Sequence, residues 1–567
     1  ELARYEAVRL FVERASLAQP QFELTAQNAS HVAQICHRLD GIPLALELAA
    51  ARVKVLTVEQ VAARLDDRFR LLTGGSRTAL PRQQTLRALI DWSYSLLTEP
   101  ERRLFRRLSV FASGWTLEAA ETVCSGDGLE QADILDLLTK LVDKSLVLAE
   151  EGEDGVRYRR LETIRQYARE KLLESEEVTD VRQRHLDYFL RYAEQSAPHF
   201  WGPEMLLWGK RWNVEQDNFR TALEWALESQ PEAALRLVSV LGTFWNTRGN
   251  MTEARVWGQR VLTQVERLPE AVGETGQARA IGRAQVLTML AWAAMTQGDQ
   301  HVGRDMAEAA IALARPIGET RALGRSLMTL GLTSSFLGQL DQALAAALES
   351  EAVCRQKGHK PELIMTLIAL AQITGMRRGE PAQIQGYIEE AIALSREFGG
   401  PFASTMIEQS LARRAAQRGD LVEARERSER IIAFHREAGN RRMVNSLQSE
   451  FAHALRRHHQ LEEASALYRT TLVEWQELGH RAAMARELEC LAFIAGAQAQ
   501  NERAAQLLGA AEALREVCGS PMTPMERGEY DSVVSNVRAA LDEATFAQLW
   551  ASGRAMTFEQ AVAYALE

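Results

Sequence analysis

The sequence predicts a mostly α-helical protein: a small helical domain, a winged-helix domain with one β-hairpin, and a tetratricopeptide-like α-solenoid. Three observations carry that prediction. Apolar residues recur at helical spacing over nearly the whole chain, in a composition rich in Ala, Leu, Glu and Arg. A single hairpin pattern follows a run of helical patterns. Beyond about residue 240, turn dipeptides return at an almost constant interval. With 567 residues, 46% hydrophobic and 25% charged, the chain is long enough for several cores.

Residues 1–77 read as the small helical domain. Ala7, Val8, Leu10, Phe11, Val12 and Ala15 already recur as if mid-helix, and Glu1 is not a methionine. The chain is therefore expected to be a fragment with an upstream part, or to have a processed N-terminus. A helix near 26–39 ends at Asp40-Gly41, and Pro43 opens the next over 44–53. Proline suits a first helical turn because its missing N–H had no intrahelical partner there. A further helix is expected over 57–72, and TGGSRTALP (73–81) reads as a linker.

Residues 78–175 change character. Helical patterns near 84–97, 99–111, 116–123 and 130–143 precede two strands, 145–149 and 156–159, joined by the turn-rich EEGEDG. A helix over 162–174 closes the segment. Helices followed by a two-stranded wing make the winged variant of helix-turn-helix. Residues 176–240 read as a helical linker.

The repeats occupy 241–520. Turn dipeptides fall at Gly249-Asn250, Gly298-Asp299, Gly338-Gln339, Gly379-Glu380, Gly419-Asp420, His459-Gln460 and Gln500-Asn501. After a first gap of 49 the spacings are 40, 41, 40, 40 and 41. Alanine sits five residues past the first member at Ala254, Ala343, Ala424, Ala464 and Ala505, with Gly303 and Ile384 at the other two. Small residues there let paired helices approach closely. The unit is a helix-turn-helix with a period longer than the usual tetratricopeptide.

The charge balance, 66 basic against 76 acidic residues, is mildly acidic and provides no global drive toward nucleic acid or anionic membrane. No apolar run is long enough for a bilayer span, and no signal pattern opens the chain. Cys36, Cys124, Cys354, Cys490 and Cys518 lie far apart without a CxxC pair, arguing against a zinc ribbon or a disulfide scaffold. A reduced, cytoplasmic protein is expected.

Chemistry-bearing motifs are few. A phosphate-cradling GxxxxGKS or GxxxxGKT is absent; Trp208-Gly209-Lys210-Arg211 has Glu204 where the first glycine belongs. No catalytic residues and no metal ligands are assigned, and the chain is not expected to be an enzyme by itself. His453, His458 and His459 do not share a helical face and read as a solvated repeat turn, and no cysteine has an obvious histidine partner nearby in sequence. The recognition position of the winged helix, 131–144, carries Asp133, Asp136 and Asp143 against Lys140 and Lys144. That charge would repel phosphates, so a structural winged helix is favoured over a DNA reader. The basic patch Arg102, Arg103, Arg106 and Arg107 lies on the preceding helix, free for DNA or for pairing with neighbouring acids. Trp208, Trp212, Trp245, Trp257 and Trp292 cluster near the start of the solenoid. They could line a partner or ligand surface, or pack where linker helices dock on the repeats.

These residues are similar to a known group. Leu39-Asp40-Gly41-Ile42-Pro43 through Arg52 resembles the GxP segment of STAND-class signalling ATPases, the NB-ARC group. Tyr5 to Ala15 resembles the stretch after their nucleotide-binding core. Thr85-Leu86-Arg87 through Tyr94, and Leu104-Phe105 to Phe111, are similar to the winged helix of bacterial transcriptional regulators of the AfsR and LuxR (MalT-like) kinds. Glu215-x-x-Asn218-x-Arg220 through Trp225 resembles their pre-repeat linker, and 504–512 with Trp550 and Phe558 to Ala561 their C-terminal repeat cap, here 521–567.

The resemblance implies an ADP/ATP switch in which residues 1–77 are the helical lid. Gly41 and Pro43 would edge the nucleotide. Glu162 would match the acid of the MHD motif, whose histidine is replaced by Leu161. It implies ADP or ATP with Mg only in a full-length protein whose P-loop core lies upstream, and no cofactor for this chain alone. It further implies an inducer or protein partner on the solenoid and self-association on activation, while the charge and apolar runs argue against DNA or membrane binding by this chain alone. Two alternatives stay open: a nucleotide-independent scaffold, and a winged-helix DNA-binding regulator.

Overall fold

A computed structural model describes residues 4–567 apart from 20, 40, 42, 51–52, 54–55, 65–86, 88–89, 91–93, 145, 153–154, 519–521 and 523. The linker expected at 73–81 and most of the helix expected at 84–97 lie outside the described residues. The chain forms two compact units, Glu1–Phe189 with Glu215–Trp225, and Leu190–Val214 with Ala226–Glu567. The segment read as a linker, 176–240, thus contributes to both.

The first unit begins with α1 (Glu6–Ala18), α2 (Ala29–Arg38), α3 (Pro43–Ala50) and α4 (Val58–Arg64). Val8, Phe11 and Ala15 of α1 meet Val32 and Ile35 of α2, Leu46 and Ala49 of α3 and Val61 of α4 in one core. The winged helix follows: α5 (Glu99–Arg107), a short 3-10 turn, β1 (Trp115–Thr116), α6 (Leu117–Cys124), α7 (Ile134–Asp143), β2 (Leu148–Gly152), β3 (Gly155–Arg159) and α8 (Glu162–Leu173). The sheet has three strands in the order β1-β3-β2, all antiparallel, so β1 extends the two-stranded wing that was expected. Most of EEGEDG is strand rather than turn: Glu150 pairs with Arg157 and Gly152 with Gly155. Thr98 starts α5 with a reciprocal cap in which its backbone N–H is bound by Glu101 at 2.8 Å.

Helices α9 (Val178–Ser196) and α11 (Gln216–Ser229) flank α10 (Met205–Val214). Within the first unit, the Asn218 side chain accepts from the Ala112 N–H at 2.8 Å and donates to the Gly114 carbonyl at 2.9 Å. Arg157 of β3 pairs with Glu215 at 2.5 Å. The Glu215-x-x-Asn218 pattern is therefore an anchor that ties residues 215–225 to the winged helix.

The second unit is the solenoid. Helix α12 (Pro231–Arg248) pairs with α13 (Met251–Glu266), α14 (Gly273–Thr296) with α15 (Gln300–Ile317), and α16 (Thr320–Phe336) with α17 (Leu340–Lys357). The series continues through α18 (Lys360–Met376) and α19 (Pro381–Phe398), α20 (Pro401–Gln417) and α21 (Leu421–Glu437), α22 (Arg441–Arg457) and α23 (Leu461–Glu477), and α24 (Arg481–Ala497) and α25 (Asn501–Cys518). Three helices, α26 (Pro524–Ala540), α27 (Glu543–Arg554) and α28 (Phe558–Leu566), follow the last pair. Tyr530, Ala561, Val562 and Ala565 join the core of the last repeats.

The left-handed turn residue inside each pair is Gly249, Gly298, Gly338, Arg378, Gly419, His459 or Ala499, with φ between +55° and +86°. The register therefore passes through Arg378 and Ala499, one residue before the expected Gly379 and Gln500. Gly379 answers to space instead, because a Cβ there would lie 2.6 Å from Thr374 Cγ2. Ala254, Ala343, Ala424 and Ala464 are buried as anticipated, and so is Gly303, whose added Cβ would sit 3.1 Å from the Ala291 carbonyl. A second series, Gly318, Gly358, Gly399, Gly439 and Gly479, turns the chain between pairs. Among the described residues no helix is long and apolar enough to cross a membrane.

Candidate functional site

The four arginines expected as a patch are committed internally. Arg102 donates to the carbonyls of Tyr94 (3.1 Å) and Ser95 (2.6 Å). Arg103 donates to the Asp127 carbonyl at 2.7 Å and lies 3.4 Å from Glu177. Arg106 meets Glu177 at 3.2 Å and Glu99 at 3.4 Å. Arg107, wholly buried, donates to the Cys124 carbonyl (2.7 Å), the Gly126 carbonyl (2.6 Å) and Glu177 (2.7 Å). Of the two readings, pairing with acids holds for Arg103, Arg106 and Arg107, which gather around Glu177, while part-exposed Arg102 binds main-chain carbonyls. The reason is physical: helical periodicity puts Arg103, Arg106 and Arg107 on one side of α5, and the carboxylate they need arrives from 70 residues downstream.

On α7 the residues that face solvent are Leu135, Asp136, Thr139, Lys140 and Asp143. Lys144, just after it, is held 2.8 Å from the buried Glu101 carboxylate. Opposite charges thus alternate on this face, a poor complement to a phosphate backbone.

The tryptophans divide. Trp212 is fully buried, donating to Ser196 Oγ at 2.8 Å and packing against Phe200 with centroids 4.6 Å apart. Trp245 and Trp257 are buried as well, and Arg260 lies 4.4 Å over the Trp257 ring. For these three the ligand-surface reading gives way to core packing, since indoles of this area are most stable when removed from water. Trp208 keeps partial exposure between His199 (4.9 Å) and Arg211 (4.9 Å). Trp292 is partly buried, donates to Asn246 Oδ1 at 2.8 Å, and packs on a cluster containing Met295, Met328 and Met365.

Gly41 takes φ +64° and donates its N–H to the Cys36 carbonyl at 3.0 Å, ending α2. Pro43 begins α3 and is exposed. Glu162 begins α8 with both carboxylate oxygens bound by Arg165, at 2.6 and 2.7 Å. Leu161 offers no side-chain donor. In this structure the Glu162 carboxylate is thus engaged by Arg165.

One arrangement was not legible in the sequence. Along α22, Asn445 donates to the Thr471 carbonyl (2.9 Å), Ser449 donates to Glu487 and accepts from Trp475 Nε1 (3.1 Å). His453 Nδ1 lies 2.6 Å from the Tyr468 hydroxyl and 3.5 Å from Cys490 Sγ. His453 is thus a packed network residue rather than part of a solvated turn, and Cys490 does have a histidine partner, 37 residues away. Burial pushes the Glu487 carboxyl up to about 7, partly opposed by His453, and burial pushes His453 down to about 4. Cys490 and Glu487 are enclosed, so this is a polar network inside the repeats and not an open reaction site. An open depression of about 390 Å³ lies among α15, α16 and α17, with Ile311, Arg315, Leu330 and Glu349 among its lining residues.

Residues 97–173 match the family profile described as a winged helix-turn-helix domain. This segment is a winged helix. A Mycobacterium tuberculosis protein with the provisional name of an HTH-type transcriptional regulator is 39% identical over 431 residues, 76% of this chain and 48% of its own length. An uncharacterised protein of the same organism is 44% identical over 181 residues, 32% of this chain and 46% of its own. The chain spans about half the length of the curated relatives it matches. Among solved structures, a STAND protein with a tetratricopeptide repeat sensor from Pyrococcus horikoshii is 16% identical, covering 94% of this chain and 74% of its own at a TM-score of 0.41. Likeness at that level transfers neither residues nor activity.

Proposed function

We propose that this chain is the regulatory and sensor portion of a STAND-type signalling ATPase or transcriptional regulator. In this reading the solenoid takes an inducer or a protein partner, and the lid and winged helix pass that state to an ADP/ATP switch. The observation that carries the regulatory part is the 39% identity, over 76% of the chain, to proteins named as HTH-type regulators. The winged helix over 97–173 adds to it, although the arginines of α5 are tied to Glu177 and to main-chain carbonyls rather than offered to phosphates. A winged helix so built suits packing between domains better than reading base edges.

The nucleotide half rests on the resemblance around Gly41, Pro43 and Glu162. ADP or ATP with Mg would be held by a P-loop core of a longer protein, with exposed Pro43 at its edge. The test uses the full-length protein. Pro43→Ala should change the rate at which prebound ADP is lost. Unchanged ADP loss, with the fold intact by circular dichroism, would remove Pro43 from the switch.

A further inference from the structure

In a solenoid each repeat touches only its neighbours. Here a seam between distant repeats departs from that rule. Arg248, at the end of α12, donates to the Ala438 carbonyl at 2.9 Å, 190 residues away. Asn440 answers by donating to the Thr247 carbonyl at 2.9 Å. One repeat later on each side the contact recurs: His480 Nε2 donates to the Thr296 carbonyl at 3.3 Å, 184 residues away. The seam therefore runs in register, turn against turn, and closes the superhelix on itself.

Asn440 and His480 are equivalent residues, the N-caps of α22 and α24. Each uses one side-chain atom for its own helix and the other for the seam. Asn440 Oδ1 accepts from the Met443 N–H (3.0 Å), and His480 Nδ1 from the Ala483 N–H (3.2 Å). Two earlier residues of this series stay local: Glu319 caps its own helix, and His359 meets Thr320 Oγ1 at 2.9 Å. The glycines show the same asymmetry. A Cβ at Gly318, Gly358, Gly399 or Gly479 would meet open space, whereas one at Gly439 would lie 2.9 Å from Arg248 Cζ. A Cβ at Gly249 would lie 2.6 Å from Asn440 Oδ1. Two backbones are thus brought close by residues that allow it.

The helices between the two ends of the seam are deeply packed. Nearly all residues of α16 from Ala322 to Ser335, and of α18 from Glu362 to Thr374, are buried.

We propose that Arg248, Asn440 and His480 form a clasp that holds distant turns of the solenoid together, and that opening it is the conformational step by which the solenoid changes state. A few hydrogen bonds are weak enough for a ligand with higher affinity for the open state to overcome. The mechanical part stands on the seam alone; the regulatory part rests on the sensor reading above.

The test is the triple variant Arg248→Met, Asn440→Ser, His480→Ser in this chain. Serine retains helix capping but is too short to reach the opposite carbonyls. X-ray scattering should show a larger radius of gyration than the parent, and amide exchange at 246–250 and 438–442 should quicken roughly tenfold or more while α1–α4 are unchanged. Identical scattering and exchange in parent and variant would overturn the clasp. If the variant opens but ADP loss from the full-length protein is the same in both forms, the clasp stands and its regulatory role falls.

Discussion

Arg107 and Glu177 meet at 2.7 Å in the first unit, the guanidinium wholly buried and the carboxylate shared with Arg103 and Arg106. Breaking such a pair from one side leaves an uncompensated charge in a dry site. Glu177→Gln should destabilise the first unit by about 3 kcal/mol, read as a lower midpoint in urea. A midpoint unchanged within error would show that the knot is incidental.

Arg160 shows the opposite situation. It is 7% exposed, lies 4.7 Å from the Phe105 ring and 5.5 Å from that of Trp115, and all three of its guanidinium nitrogens are buried without a hydrogen-bond partner. Burial pushes its pKa down to about 9. Exchange for an apolar residue of similar length relieves that desolvation, so Arg160→Met should stabilise by about 1–3 kcal/mol. A fall in thermal midpoint would mean that the two ring contacts outweigh it.

Asn218 bridges Ala112 and Gly114 and also donates to Glu215 at 2.6 Å. Asn218→Ala leaves a buried N–H and a carbonyl unpaired, a cost of about 2 kcal/mol. Asn218→Asp should cost more, since it also sets a carboxylate against Glu215. Equal losses for both variants would place the Glu215 contact outside the anchor's energetics.

Acid should unfold this protein early. Burial lowers His185 to about 3 and His435 and His453 to about 4. These rings stay neutral when folded while the unfolded chain takes up protons below its ordinary value near 6.5, so stability is full above that pH and falls as pH drops toward 4. Glu487, raised to about 7, has the opposite sign: its contribution is present at low pH and is lost as pH rises through 7. Glu487→Gln should therefore stabilise at pH 8 and steepen the loss between pH 6.5 and 4.5. Parallel stability curves for parent and variant across pH 5–8 would contradict this assignment.

DNA offers a direct check on the arginine knot. With the α5 cations bound internally, duplex DNA should show no steep salt-dependent retention by this chain, and Arg102→Gln with Arg103→Gln should change nothing in that assay. Affinity falling linearly in log salt, and lost in the double variant, would restore a nucleic-acid surface.

Helix content, the wing and the repeat interval were legible because each is set by local rules: apolar period, turn residues and small residues at a fixed offset. Even there, the turn register shifted by one at Arg378 and Ala499, since a left-handed φ can be imposed on a non-glycine residue when the flanking helices already hold the ends. The fate of individual charges was not legible. Arg107 finds Glu177, and Cys490 finds His453, across 70 and 37 residues of intervening chain.

Sequence by itself determined that helices would pair in a repeating array and roughly where each would turn, because backbone torsion and helical period act over a few residues. Tertiary structure alone decided that Arg107 would be buried against Glu177, that Trp212 would be core, and that Asn440 would reach Thr247 193 residues away. Those outcomes depend on the small rotation between successive repeats summed along the solenoid, and on which distant carboxylate or carbonyl that path delivers to a buried donor.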